Sequence, residues 1–435
     1  MKTPNWFIRI RVVLTLCILG THVYAGEWMW HGSFPWIYSN KDQEWSYWRT
    51  GKDGRFYKWS QSSGGWQIYN DGEGQWTSLK APDLNETKWE LWEENPELYG
   101  GTYTLEKIKE AVLNSQSSLD LSYQRIYDLT PVGEALQLRQ LFLQANQISD
   151  LTPLQNLKGL EVLNLNSNQI SDLESLSNLL ELKELHLDDN NLTDLTPIAG
   201  LRRLVRLSLS DLNLVSVEAL KDLRLLEELH LRANALTSIE PLAQLRKMKF
   251  LDLGNNAISD LSALGNFNQM TVLYGEDNNI TSLDSIATLP NLKEINLSNN
   301  QISSLAGFSS IGLGESYLWL ADFSRNLISN LEGLEKLSNI RILSLSQNEV
   351  TDLSSLSSME ELSTLLIDFN KVSSLAPLVS LSKLRGVYAN NNLLSNDTSL
   401  DQLDQLIELY LFDNNLSDAR ISDIQAALPG VALQF

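Results

Sequence analysis

The sequence predicts an α/β solenoid, in which a concave parallel β-sheet is backed by an irregular or 3₁₀ convex side. A small tryptophan-rich all-β module is expected to precede it. Two observations lead to this fold class. Leucine and asparagine recur every 22 residues through about three quarters of the chain, and eight of the twelve tryptophans fall within residues 26–79. A strict period of this length is typical of stacked, structurally equivalent coils.

Each repeat contains a short strand. The pattern L-x-x-L-x-L-x-x-N fits residues 160–168, fits again at residues 182–190, and continues along the chain. The alternation in L-x-L predicts a strand whose leucines point into the core while the x residues face solvent on the concave side. One such strand cannot bury its leucines alone, so the coils must stack on one another to form a continuous core.

An asparagine follows nearly every strand at a fixed distance. Its amide both donates and accepts, so it can satisfy turn backbone groups that would otherwise be buried without partners. Two units replace it, with Gln124 and Leu212, and there we expect the coil to survive with a locally different turn. The asparagine column reads Asn146, Asn168, Asn190, Asn234, Asn256, Asn278, Asn300, Asn326, Asn348, Asn370, Asn392 and Asn414.

The second half of each repeat often reads I-S-D-L-x-P-L, as in residues 148–154. A proline at this place suits a turn or a short 3₁₀ segment, because it removes a backbone donor. The aspartate of this motif starts the convex turn, and we expect it to cap that turn. Calcium binding by the aspartate column is the alternative. The prolines concerned are Pro153, Pro197, Pro241 and Pro377.

These motifs resemble the 22-residue leucine-rich repeats of bacterial internalin-type proteins. The resemblance covers roughly residues 119–433 and implies a leucine-rich repeat fold, with 14 units at residues 119–427 and a truncated C-terminal repeat or cap at residues 428–435. One unit is longer than the period, since the asparagine that follows Asn300 is Asn326, which places an insertion around residues 312–317. Residues 102–118 are predicted to be an N-terminal helical cap and residues 80–101 a linker.

The N-terminus predicts export. Lys2, Arg9 and Arg11 precede the apolar run 12–19, and Val23-Tyr24-Ala25 resembles a cleavage site, so residues 1–25 are interpreted as a signal peptide. Cleavage removes these three positive charges and the single cysteine, Cys17, so the formal charge changes from −21 to −24. The expected product is a disulfide-free monomer, secreted or at the cell surface of a bacterium. Its negative charge disfavours nucleic acid, and no membrane span is predicted.

Residues 26–79 form the predicted tryptophan-rich β module, in which short aromatic stretches alternate with glycine-containing turns. Its sequence resembles Trp/Tyr/Gly-rich repeats of exported bacterial proteins. Two interpretations of the tryptophans stay open. They can form the core of a small module that needs large apolar side chains, or some rings can remain exposed and bind glycan.

The candidate partner-binding residues lie on the x positions of the strand and just beyond it. A mixed-charge group occupies the middle of the array, and aromatic residues mark its C-terminal end. Because these side chains are not needed in the core, they are free to serve binding. The candidates are Phe142, Glu184, His186, Asp188, Arg206, His230, Arg232, Tyr274, Glu276, Trp319, Tyr388, Tyr410 and Phe412.

No catalytic, metal or cofactor site is predicted. His186 and His230 are two coils apart, about 10 Å between their backbones, which is too far for easy sharing of one zinc ion. No phosphate-binding glycine loop and no HExxH motif occurs. We therefore expect an exported binding protein that holds a protein or an extracellular polymer on its concave face. The alternatives are a carbohydrate-binding surface protein, in which the head binds glycan, and a purely structural matrix protein. An enzyme is the least favoured class.

Overall fold

The structure is a computed structural model. It describes residues 24–25, 28–30, 36–39, 44–50, 56–60, 65–70, 75–78, 88–286, 289–310 and 317–435, and for the strands before residue 79 it describes the backbone alone. The chain divides into two compact units, Met1–Lys109 and Glu110–Phe435. Residues 1–23 of the predicted signal peptide and residues 311–316 of the predicted insertion lie outside the described residues.

The N-terminal unit contains a seven-stranded antiparallel sheet in which each strand pairs with the next one in sequence. This topology agrees with the predicted all-β module. Cleavage after Ala25 would remove the first strand. The tryptophan side chains of this sheet lie outside the described residues, so the choice between core and glycan-binding rings stays a prediction. The strands are β1 (Tyr24–Ala25), β2 (Trp28–Trp30), β3 (Trp36–Ser39), β4 (Glu44–Thr50), β5 (Phe56–Ser60), β6 (Gly65–Asn70) and β7 (Gln75–Ser78).

The later part of the predicted linker is folded. Residues 88–93 are helical, and a 3₁₀ helix spans Pro96–Tyr99. Trp92 and Tyr99 are buried and pack with Leu105 in a small apolar cluster, and the rings of Trp89 and Trp92 meet edge to face at 4.8 Å. The buried aromatic side chains stabilise this segment, although its prolines and glycines predict an irregular chain.

Helix α1 spans Thr102–Leu113 and has one apolar face. Leu105 and Ile108 are buried, as the helical period predicts, and Ala111 joins them, whereas Val112 is half-buried. The side chain of Gln137, which lies in the first coil, donates to the carbonyl oxygen of Ala111 at 3.0 Å.

The C-terminal unit is built on one parallel sheet of fifteen strands in sequence order. Most neighbouring strands pair at the period of the sequence, as in Leu163 with Leu185. The pairing of Ile295 with Ala321 exceeds this period and confirms the longer unit. The strands are β8 (Ser118–Asp120), β9 (Gln140–Phe142), β10 (Val162–Asn164), β11 (Glu184–His186), β12 (Arg206–Ser208), β13 (Glu228–His230), β14 (Phe250–Asp252), β15 (Val272–Tyr274), β16 (Glu294–Asn296), β17 (Leu320–Asp322), β18 (Ile342–Ser344), β19 (Thr364–Leu366), β20 (Gly386–Tyr388), β21 (Glu408–Tyr410) and β22 (Ala432–Gln434).

The asparagine column forms a ladder of buried hydrogen bonds between coils. In the coil of Asn348, the Nδ2 group donates to the carbonyl oxygens of Leu345 and Phe323 at 3.0 and 2.9 Å. Its Oδ1 atom accepts from the amide of Ile328, in the preceding coil, at 2.9 Å. The same three bonds recur at Asn168, Asn190, Asn256 and Asn300. One side chain thus satisfies backbone groups of two coils, which confirms the predicted role.

The two units without this asparagine have a different turn, also as predicted. In each coil the residue just before the asparagine position has a positive φ, as at Ser167 (54°). In the units of Gln124 and Leu212 a second left-handed residue follows, Arg125 at 58° and Asn213 at 57°. The backbone therefore has two left-handed residues where the asparagine is missing, and in the second of these units Leu212 is buried in its place.

The convex side consists mainly of short 3₁₀ helices, and the four prolines of the repeat motif stand at their starts. A preceding aspartate or serine caps each of these turns, as Asp150 does by accepting from the amide of Thr152 at 2.8 Å and Ser238 does by accepting from the amide of Glu240 at 3.2 Å. The 3₁₀ helices of the array include Val132–Glu134, Thr152–Leu154, Glu174–Leu176, Thr196–Ile198, Glu218–Leu220, Glu240–Gln244, Ser262–Asn266, Ala306–Ser310, Leu334–Lys336, Ser354–Ser358, Ala376–Leu378 and Thr398–Gln402.

The last coil differs from the sequence pattern. An α-helix, α2, spans Asp418–Ala427 and begins at Ser417, whose side chain accepts from the amide of Arg420. Leu433 pairs with Leu409, although the leucine pattern at the end of the chain predicts Val431 as the partner of Leu409. An α-helical connection needs more residues than a 3₁₀ turn does, and this displaces the final strand by two positions.

The ladder makes a stability prediction. Replacing Asn348 by alanine should lower the free energy of unfolding by about 1–3 kcal/mol, because three buried backbone groups lose a partner. Replacing the exposed Asn178, whose side chain makes one local contact, should change it by less than about 0.5 kcal/mol. Urea unfolding of both variants checks this, and equal losses would contradict a structural role for the ladder.

Candidate functional site

The candidate site is built from three columns of side chains on the concave sheet. They are the first and third residues of each strand and the second residue beyond it, and we call them the concave columns. In most strands the middle residue is buried while its neighbours are partly exposed, as Leu185 is between Glu184 and His186. Parallel pairing brings equivalent residues of adjacent coils side by side, so contacts run across the strands.

A continuous series of contacts crosses the middle of the concave columns. Arg206 pairs with Glu184 on one side and with Glu228 on the other, the latter through Nε at 3.2 Å. Glu228 also faces His230, whose Nε2 lies 2.9 Å from its carboxylate. The candidates Glu184, Arg206 and His230 are therefore brought together, by way of Glu228.

The series continues through aromatic rings. His230 packs against Phe250 with ring centroids 4.7 Å apart, and Phe250 meets Tyr274 edge to face at 5.5 Å. The hydroxyl of Tyr274 donates to Glu294 at 3.3 Å. Seven side chains on six consecutive strands, from Glu184 to Glu294, thus form one row of mixed charge and aromatic character, which we call the central row.

A second ion pair lies beside the central row and spans two coils. Arg232 pairs with Glu276, and Gly254 occupies the equivalent position in the coil between them. A Cβ atom at Gly254 would meet Arg232 Nη1 and would lie 2.9 Å from Glu276 Oε1. The missing side chain is thus the reason that the two long side chains can reach each other.

The surroundings of this pair are short of donors. Glu276 Oε2 is buried and, among the described residues, has no hydrogen-bond partner. Asp252 lies 3.9 Å from Arg232, and burial raises the pKa of its carboxyl above the usual range. The hydrogen bond to Glu276 is the main reason that the pKa of Arg232 is raised.

Asp188 serves mainly to join coils. Its carboxylate accepts from the Ser208 hydroxyl at 2.5 Å, from the Ser210 amide at 2.6 Å and from the Asn166 side chain at 2.9 Å. These donors occupy both oxygens, so Asp188 is held in place rather than free for a partner. His186 stands next to it, and burial lowers the pKa of its imidazole despite the nearby carboxylates.

The aromatic end of the array is ordered by stacking. The rings of Tyr388 and Tyr410 are 4.8 Å apart with 20° between their planes. The hydroxyl of Tyr388 donates to Glu408 at 2.5 Å, and this bond is the main reason that its pKa is raised to about 12. Phe412, which follows Tyr410 by two positions, is 42% exposed. All three candidates of this end lie on neighbouring coils.

Two candidates lie apart from these groups. Phe142 ends β9, and Trp319 immediately precedes β17, so it stands at the start of a strand rather than in the concave columns. Tyr317 nearby is 61% exposed.

Sequence reasoning missed three glutamates of the site, Glu228, Glu294 and Glu408. All three begin a strand, and each contacts a candidate residue that was recognised. Reading the first-residue column of the strands at the repeat period could have found them.

Among the residues that the structure describes, no three histidine, cysteine or acidic side chains converge as metal ligands would. No helix in the same part of the chain is both long and apolar enough to cross a membrane.

Known proteins share this arrangement of coils. A family model that describes two consecutive leucine-rich repeats matches the chain three times, at residues 136–178, 224–266 and 271–310. Internalin InlF of Listeria monocytogenes has a similar structure, with a TM-score of 0.63 and 24% identity over 78% of this chain and 96% of that one. The chain contains leucine-rich repeats and has a fold similar to that of the internalins.

Other leucine-rich repeat structures extend this likeness. A leucine-rich repeat protein of Leptospira interrogans has a TM-score of 0.56 and 24% identity over 75% of this chain and 98% of that one. The plant peptide hormone receptor RGFR1 reaches 0.60 at 24% identity, over 69% of this chain and 52% of the receptor. At this level of identity the likeness concerns the fold. No curated protein sequence matches the chain significantly.

Gly254 generates a prediction about the ion pair. In the leucine-rich repeat protein as it stands, a double-mutant cycle of Arg232→Met and Glu276→Gln should give a coupling energy of about 0.2–1 kcal/mol, since Arg232 is 43% exposed. In a Gly254→Ala background the coupling should vanish, because the new methyl group separates the partners. Gly200→Ala is the matched control, since a Cβ there meets nothing within 4 Å. Coupling that persists in the Gly254→Ala background would contradict the conclusion that the two side chains need the space above Gly254 to meet.

His186 generates a pH prediction. Its folded pKa lies below the unfolded value of about 6.5, so the unfolded chain binds the proton more readily. The associated stability is present above pH about 6.5 and is lost as pH falls through the depressed value. Asparagine is a natural replacement for His186, since Asn164 and Asn296 occupy the same column. The free energy of unfolding of the His186→Asn variant should therefore fall less on acidification than that of the native chain. Urea titrations at about pH 7.5 and 5.5 measure the difference. A larger loss of unfolding free energy in the variant would contradict a lowered pKa of His186 in the folded chain.

Proposed function

We propose that this leucine-rich repeat protein is an exported binding protein that holds a protein or an extracellular polymer on its concave face. One observation carries the proposal. The central row places seven contacting, partly exposed side chains across six strands, at positions that the buried core does not use. Charged and aromatic groups fixed by their neighbours lose little freedom on binding, and this favours recognition.

The dimensions of the sheet support a large ligand. Fifteen strands at a spacing of about 4.8 Å give a surface of about 65–70 Å in length, which exceeds what a small molecule covers. Among proteins of similar fold, the plant receptor RGFR1 has been solved in complex with RGF2, and the Toll receptor in complex with Spatzle. Repeat arrays present extended surfaces of this kind for recognition.

Export rests on the N-terminal sequence. A positive start, an apolar run and the Val23-Tyr24-Ala25 stretch are typical of a signal peptide, and the chain beyond Ala25 contains no cysteine. Work at the cell surface or outside the cell follows from this interpretation. Mass spectrometry of the protein collected from a producing bacterium should show a chain that begins at Gly26, and an intact Met1 in the exported protein would contradict the prediction.

Binding through the concave face is tested with paired tyrosine variants. The full chain is screened against a panel of extracellular proteins and polysaccharides, and the dissociation constant is then measured for each ligand retained. Replacing Tyr388 and Tyr410 by alanine should weaken binding at least about ten-fold, because buried aromatic anchors are each worth about 2 kcal/mol or more. The melting temperature should fall little, since both rings are partly exposed.

The matched control removes two tyrosines elsewhere. Tyr103 and Tyr127 lie outside the concave columns and are 73% and 40% exposed, so their replacement by alanine should leave binding unchanged. Binding that survives the loss of Tyr388 and Tyr410, and also survives Tyr274→Ala and Trp319→Ala, would place the ligand off the concave face.

A further inference from the structure

Charge is distributed unevenly along the concave columns. Across the eight strands β14–β21, the 24 column positions contain no lysine, arginine or histidine, but they contain six carboxylates and five aromatic rings. The cationic and histidine side chains of the concave columns, Arg206, Arg232, His186 and His230, all belong to coils before β14. The C-terminal part of the face is therefore acidic and aromatic, with no cationic side chain of its own.

Four of the six carboxylates keep an unbalanced charge. They accept hydrogen bonds only from neutral donors, namely the hydroxyls of tyrosine and serine, an asparagine side chain and backbone amides. Within the described part of the chain, no lysine, arginine or histidine nitrogen comes within 4 Å of them. These residues are Glu294, Asp322, Asp368 and Glu408.

The aromatic rings add to the negative electrostatic potential of this part of the face. The face of a tyrosine ring is negative, so the stacked pair of Tyr388 and Tyr410 attracts a cation over its exposed side. Glu408 holds the Tyr388 hydroxyl and stands at the edge of this stack. A guanidinium group can lie flat on such a ring while it donates to a neighbouring carboxylate, and an ammonium group can do so as a point charge.

We propose that this part of the concave face, the acidic-aromatic surface formed by Glu294, Asp322, Asp368, Glu408, Tyr388 and Tyr410, binds a lysine- or arginine-rich segment of a partner protein. The proposal rests on the proposed function and specifies the partner's chemistry. An acidic polymer is repelled by this surface. A neutral partner would bury four charges without compensation, which is costly. A basic segment supplies the missing cations.

The test uses the full chain and a fluorescent octa-arginine peptide, with octa-glutamate as the opposite charge. Glu408→Gln combined with Asp322→Asn removes two charges from the surface while keeping hydrogen-bond acceptors. Asparagine is already tolerated in that column, where Asn296 accepts from Ser298 as Asp322 does from Ser324. Fluorescence anisotropy at physiological salt should show octa-arginine bound about five-fold or more weakly by this variant.

The control separates a local site from general attraction by an acidic protein. Glu360→Gln combined with Asp404→Asn makes the same chemical changes at two exposed positions outside the concave columns, and should change affinity by less than about two-fold. Tyr410→Leu gives an independent readout, since it removes the ring at a column position where Leu366 already occurs, and it should also weaken octa-arginine binding.

Equal weakening by both charge pairs, or equal binding of octa-glutamate, would overturn the basic-segment proposal. The proposed function fails differently. If a ligand from the protein and polysaccharide panel is acidic or neutral and its binding is lost on Tyr388 and Tyr410 replacement, the concave site stands and the basic partner is wrong. If the retained ligands ignore every concave change, the concave site itself is wrong.

Discussion

The fold depends on the need to satisfy the polar backbone inside a stack of coils in which most residues lie outside the strands and the short 3₁₀ helices. A short strand leaves most of each coil outside the sheet ladder, and the turn after the strand passes through the apolar core. The asparagine amide solves this problem with one acceptor and two donors, as Asn300 does for Ile280, Leu297 and Gly275. The leucine core can close around the turn only because its amides and carbonyls are already paired.

This constraint also frees the concave columns. Since the leucines and the asparagine carry the stability of a coil, the first and third strand residues and the residue beyond can vary without loss of the fold. The structure uses them in two ways. Some tie coils together, as Asp188 does, and others form the central row and the acidic-aromatic surface. A column position is therefore informative for binding only after its contacts with neighbouring coils are known.

Much of this architecture could be predicted from the sequence, because the period is a direct record of the stacking. The strands, the asparagine ladder, the proline-led 3₁₀ turns and the single longer unit all follow from local pattern. The displaced last strand did not, because the leucines at residues 428–433 fit the usual spacing while the helix before them takes more chain. The ion pair of Arg232 and Glu276 across Gly254 could not be predicted either, because it depends on how far each side chain extends over the coil between them.

The direction of the asparagine bonds has a consequence for synthesis. Each ladder asparagine accepts from an amide and donates to a carbonyl of the preceding coil, as Asn190 does for Ile170 and Leu165. A coil emerging from the ribosome or from an export channel is thus incomplete until its successor follows. If the coils fold in the order in which they emerge, the growing edge carries one turn whose asparagine partner has not yet arrived.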